Sequence, residues 1–210
     1  MIGIDKIDLL KKRLQKPLPG LIAQNKMAAR VRELPAVIPD NAKLSAVLAI
    51  LFPKNGTLNL VLIKRVDDGK PHSGQISFPG GRKDISDASL QDTALRETFE
   101  EIGISPANIQ LLGELTSLYI PVSYSQVHPF IGYMQHQPKY KLSDNEVQYT
   151  LEVPLHEFFA PEKKIVTKIT PAAFPDITLT APAYQWDAEH LIWGATAMII
   201  SELEALFIEI

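Results

Sequence analysis

The chain has 210 residues, 46% of them apolar, with 21 lysines and arginines against 24 acids for a formal net charge of -3, and it contains no cysteine. That length and apolar content can sustain one buried core, so a single domain over 1–210 is expected. The charge balance excludes a global basic field for nucleic acid or an anionic membrane, and the missing cysteines exclude a disulfide scaffold and thiolate chemistry.

From the amino terminus, Ile4, Ile7, Leu10 and Leu14 recur at helical spacing among charged residues. They predict an amphipathic helix over about 4–16, stopped by Pro17-Leu18-Pro19-Gly20, within a helical extension of about 1–38 and with no secretory leader. Two apolar runs, Lys43–Phe52 and Thr57–Arg65, flank Pro53-Lys54-Asn55-Gly56 and predict a β-hairpin. Residues 66–74 form a loop, and Gln75–Phe78 is a short strand broken by Pro79-Gly80-Gly81. A helix is predicted over 88–102, with Ser86 or Asp87 as N-cap and Gly103 as the left-handed residue that ends it. Strands are expected over Ile109–Leu115, Val127–Met134 and Glu146–Pro154, a helical turn over Leu155–Phe159, and edge strands over Lys164–Thr170 and Ile177–Thr180. A last helix is predicted over Leu191–Phe207, its apolar run too short to span a bilayer. The pattern describes an α/β or α+β protein with helices flanking a mixed sheet, soluble and cytoplasmic, with no membrane or nucleic-acid partner.

The stretch from Gly80 to Ile104 proposes a chemistry. At 100° per residue, Glu97, Glu100 and Glu101 share one arc of the helix while Leu95, Phe99 and Ile102 gather opposite, so one face is expected to pack and the other to present the carboxylates. Like charges at i,i+4, such as Glu97 and Glu101, cost a helix roughly 0.2–0.5 kcal/mol, so the acids call for a cation. Arg96 can brace Glu100 at i,i+4, and the Gly80-Gly81 pair gives an unhindered backbone approach beside the helix. A hard divalent ion such as Mg²⁺ takes oxygen ligands and bridges carboxylates to phosphates.

These residues resemble the signature of the Nudix hydrolases, in which a glycine and an acidic position precede Arg-Glu-x-x-Glu-Glu-x-Gly and an aliphatic residue. Here the closing part reads Arg96-Glu97-Thr98-Phe99-Glu100-Glu101-Ile102-Gly103-Ile104. Asp87 stands at the early acidic position in place of glutamate, one residue further from the arginine than usual, and this lengthened box is similar to that of the coenzyme A pyrophosphatase branch. So is the upstream run Val61-Leu62, Arg65, Lys70, Gly74 and Phe78-Pro79-Gly80-Gly81, with Ile63, Val66 and Lys70 departing from the branch's pattern.

The resemblance implies a Nudix-type α/β/α sandwich with a box at about 80–104, and Mg²⁺- or Mn²⁺-dependent hydrolysis of the diphosphate of coenzyme A or acyl-coenzyme A. It places metal on Glu97, Glu100 and Glu101, the bracing role on Arg96, and loop shaping on Gly80 and Gly81. The general base is either a box glutamate, Glu100 or Glu101, or an acid on a distant loop, where Glu146 is the candidate. Arg65 and Lys70, and less directly Arg82, are the candidates for holding substrate phosphate. Two alternatives stay open on the sequence: a pyrophosphatase for ADP-ribose or another nucleoside diphosphate, and a nucleotide sensor without turnover. The partner is a small nucleotide diphosphate, and a homodimer is left open.

Overall fold

A computed structural model describes residues 2–29, 38–69, 72–171 and 176–210. In chain order the elements are α1 (Lys6–Arg13), α2 (Gly20–Gln24), β1 (Lys43–Lys54), β2 (Thr57–Arg65), β3 (Ile76–Ser77), β4 (Gly80–Arg82), α3 (Leu90–Ile102), β5 (Gln110–Glu114), β6 (Leu118–Ile120), β7 (Ser125–Tyr133), β8 (Val147–Pro154), α4 (Leu155–Phe158), β9 (Lys164–Ile169), β10 (Leu179–Gln185), β11 (Leu191–Trp193) and α5 (Gly194–Ile208). No described helix is long and apolar enough to cross a membrane.

Strands β3-β2-β1-β7-β5 form the spine of an eight-stranded sheet, to which β4 is added on β1, β6 on β7 and β8 on β2. β1 and β7 run parallel, from Lys43 opposite Ser125 to Leu51 opposite Tyr133, while β2, β4 and β5 pair antiparallel, so the sheet is mixed. The β1–β2 hairpin closes at Asn55 and Gly56, both at positive φ (52° and 75°), a turn whose twist matches that of the strands. A second antiparallel sheet has the order β11-β10-β9.

Alternation along the central strands builds two cores. Ala46, Leu48, Ile50 and Phe52 of β1 and Val61 and Ile63 of β2 pack with Ala94 and Ile102 of α3. Their neighbours Ala49, Leu51, Leu58, Leu60 and Leu62 face the other way, onto Leu10 of α1 and Ile199, Ile200 and Leu203 of α5. The period of two thus fills both faces, and helices cover each, which is the α/β/α arrangement expected.

Several local expectations are corrected. The N-cap of α3 is Ser89, whose hydroxyl accepts the Asp92 N–H, and the helix begins at Leu90. Gly103 does end it, at φ 73°. Phe99 is half exposed where a packing role was expected, and Glu101 is buried with Ala94, Thr98 and Ile102. Leu191–Trp193 pairs with β10 before the last helix starts at Gly194. β10 extends past Thr180 to Gln185 through Pro182, tolerated because β11 pairs only with residues 183–185.

Candidate active site

The site forms where β4 passes beneath α3. β4 pairs antiparallel with β1 (Val47 opposite Gly80, Ala46 opposite Gly81), which presses two glycines against the helix. At both, a side chain would collide with its surroundings. A Cβ at Gly80, whose φ is 146°, would stand 2.6 Å from Val47 Cα, and one at Gly81 would stand 2.5 Å from Glu97 Cδ. The bare backbone therefore leaves Glu97 its position.

Glu101 is the most enclosed of the acids on this helix, 2% exposed. Its Oε2 accepts the Gly80 N–H at 2.8 Å and its Oε1 accepts from Arg65 Nη1 at 3.1 Å. Burial pushes its carboxyl up to about 7, against the lowering pull of the Gly80 amide and Arg65, with Glu97 and Glu146 adding to the rise. Burial likewise raises Glu97, partly opposed by Arg96, with Glu100 and Glu146 raising it further. Glu146 sits just ahead of β8, in a segment tied to the end of α3 by the Ser143 N–H to Glu101 carbonyl bond (2.9 Å), and its own carbonyl accepts the Val66 N–H at 3.0 Å.

Arg96 bridges the acids. Its Nη1 lies 3.0 Å from Glu97 Oε1 and 2.8 Å from Glu100 Oε2, and its Nη2 donates to the Arg82 carbonyl at 3.1 Å. Its other edge grips Asp87 at two points, Nε to Oδ1 at 2.8 Å and Nη2 to Oδ2 at 3.0 Å. Asp87 is itself buried, accepting from the Asp84 N–H and the Thr93 hydroxyl. Arg96, foremost, keeps its carboxyl well below the usual range. The role of Asp87 was invisible by helical spacing, because it lies nine residues before Arg96, in the turn ahead of the helix.

The structure thus brings Arg65, Gly80, Gly81, Arg96, Glu97, Glu100, Glu101 and Glu146 into one neighbourhood, while Lys70 lies outside the described residues. Among the described residues, no three acids or histidines already converge as a coordination cluster. The donor set nevertheless fits a hard cation: all-oxygen side chains, with Glu97 and Glu101 raised by burial and by their acidic neighbours. Fully ionised, the five carboxylates of Asp87, Glu97, Glu100, Glu101 and Glu146 exceed the two guanidinium groups of Arg65 and Arg96 by three charges. A divalent ion would offset most of that excess.

A family model described as the NUDIX domain matches residues 42–172. A relative from Pectobacterium atrosepticum named "Uncharacterized Nudix hydrolase NudL" is 35% identical over 170 residues, covering 80% of this chain and 85% of its own. One of the same name from Yersinia pestis (strain Pestoides F) is 32% identical over 163 residues, covering 78% of each. Among solved structures, the Nudix hydrolase RenU from M. smegmatis aligns with a TM-score of 0.52 at 14% identity, over 80% of this chain and 88% of its own. The MutT protein from Methanosarcina mazei Go1 aligns with a TM-score of 0.50 at 18% identity, over 80% and 94%. The two structures share the fold.

Proposed function

Since the chain belongs to the Nudix hydrolase family and is a pyrophosphohydrolase, we propose that it cleaves the diphosphate of coenzyme A or acyl-coenzyme A with a divalent metal, Mg²⁺ or Mn²⁺. The observation that carries the hydrolytic reading is the buried Glu101 beside Glu97 and Glu146, a carboxylate excess gathered against a glycine strand. The choice of coenzyme A rests on the Arg65 to Gly81 run, which resembles the coenzyme A branch.

In this reading Glu97, Glu100 and Glu101 hold the metal. When bound, it neutralises diphosphate charge and acidifies a coordinated water. Gly80 and Arg65 each hold one oxygen of Glu101, so that carboxylate is fixed before substrate arrives. Arg96, anchored on Asp87, keeps Glu97 and Glu100 oriented in the same way. Glu146, exposed at the strand entrance, takes a proton from the attacking water at a carboxylate oxygen. Water adds across the P–O–P bridge: its oxygen joins one phosphorus and the bridging oxygen leaves with the other. The products are adenosine 3′,5′-bisphosphate and (acyl-)4′-phosphopantetheine. Arg65 and Lys70 hold substrate phosphate.

The test is removal and return of metal. Chelated protein should be inactive on coenzyme A and recover with Mg²⁺ or Mn²⁺, while Glu101→Gln, folded by circular dichroism, should stay at least about 100-fold below wild type. Full activity of the Gln variant would refute the assignment.

A further inference from the structure

A groove beside the acidic site is cationic and shares none of its carboxylates. Lys43 and Leu44 at the start of β1, Arg82 at the end of β4 and Lys83, Asp84 and Ile85 after it enclose about 360 Å³. Strand register brings them together: Ser45 pairs with Arg82, and the Lys83 N–H donates to the Leu44 carbonyl at 2.9 Å. Lys43, Arg82 and Lys83 are all exposed, and none forms an ion pair with a described carboxylate. The acid in the lining, Asp84, is occupied locally, its Oδ1 accepting both the Ser86 N–H and hydroxyl at 2.9 and 2.8 Å. Ile85 is fully exposed and Leu44 is 40% exposed, so large aliphatic surface stands open among three cations.

β4 links this groove to the chemistry within three residues. Gly80 gives its N–H to Glu101, Gly81 lies against Glu97, and Arg82 gives its carbonyl to Arg96 while its side chain lines the groove. From Gly80 to Arg82 a strand advances roughly 7 Å, a span comparable to one ribose. An anionic group one sugar away from a diphosphate held at the acidic site would meet these cations, and the acids would repel it from anywhere closer.

We propose that this groove binds a phosphomonoester on the ribose of the substrate's nucleotide half, with Lys43, Arg82 and Lys83 on the phosphate and Leu44 and Ile85 against the base. The proposal rests on the chain being a diphosphate hydrolase, and it names how that site tells a ribose-phosphorylated nucleotide from a plain one. For coenzyme A the group is the 3′-phosphate.

Equilibrium calorimetry on the metal-free full chain separates this claim from activity. Adenosine 3′,5′-bisphosphate should bind about tenfold or more tightly than AMP, with the preference shrinking as salt rises. The Lys43→Ala, Arg82→Ala, Lys83→Ala protein should bind the two equally, and the charge-keeping Lys43→Arg, Lys83→Arg protein should retain the preference. Equal binding of the two nucleotides by wild type would overturn the proposal, as would a preference that survives in the alanine protein. Inorganic phosphate binding as tightly as the bisphosphate would overturn the nucleotide part. In turnover, the ratio of kcat/KM for coenzyme A over 3′-dephospho-coenzyme A should fall about tenfold in the alanine protein. If wild type cleaves neither, the enzymatic reading fails, while the calorimetry still decides the groove.

Discussion

Arg96 and Asp87 form a two-point ion pair, Nε to Oδ1 at 2.8 Å and Nη2 to Oδ2 at 3.0 Å, and through it a turn outside the helix sets the position of the carboxylates on it. The grip leaves Nη1 of Arg96 for Glu97 and Glu100. Replacing Asp87 by Ala should cost about 2 kcal/mol of stability, since a partly buried guanidinium loses its partner. It should also lower kcat more than tenfold, because Arg96 no longer fixes the two glutamates. Urea unfolding and steady-state kinetics check both, and an Asp87→Ala protein with wild-type kcat would refute the positioning role.

The same pair sets an acid limit. The Asp87 carboxyl is held well below its ordinary value, so its contribution is fully present above the unfolded value near 4 and is lost as pH falls through the depressed folded value. Wild type should therefore lose stability between about pH 4 and pH 2 more steeply than Asp87→Asn, measured by thermal melts across that window.

Glu101 behaves in the opposite sense. Its folded value, raised to about 7, means the metal-free protein favours the protonated acid and loses stability as pH rises from the unfolded value near 4.5 toward 7. On the proposal that Glu101 is a ligand, metal binding expels that proton, so Mg²⁺ or Mn²⁺ affinity should rise up to about tenfold per pH unit below 7 and level off above it. Calorimetry in buffers of different ionisation enthalpy measures the released proton. An affinity flat from pH 5.5 to 8 would contradict Glu101 as a ligand.

Gly80 and Gly81 should fail differently. Gly80→Ala meets the β1 backbone at a positive φ and should destabilise the fold by several kcal/mol. Gly81→Ala meets the Glu97 carboxylate first, which can swing away, so the protein should fold near normally but bind metal at least about tenfold more weakly. Paired melting and metal titration of the two variants distinguish them.

What the sequence disclosed tracks how local each signal is. The Asn55-Gly56 hairpin and the box helix with its Gly103 stop were legible because their causes lie within a few residues. Helical geometry groups the acids on one arc, but alone it places Phe99 inward and Glu101 outward. Packing against β1 and β4 reversed both. Glu202 shows the limit more sharply. It sits fully buried on α5, where its carboxylate accepts from the Gly20 and Thr116 amides, the Gln24 side chain and the Thr116 hydroxyl, partners 86 to 182 residues away. In sequence it reads as a charge following an apolar run.

Glu202→Ala should strand those donors and cost about 3 kcal/mol or more by urea unfolding. Below its melting temperature, the same protein should keep its metal affinity, since Glu202 belongs to the clamp joining α2, the β5–β6 connection and α5 and not to the site.

The most direct test of the account is product analysis of the Mg²⁺-loaded protein given coenzyme A, ADP-ribose, dinucleotides and nucleoside triphosphates separately. Adenosine 3′,5′-bisphosphate and 4′-phosphopantetheine are expected from coenzyme A, and both should be lost in Glu101→Gln. Cleavage of ADP-ribose with coenzyme A left intact would contradict it.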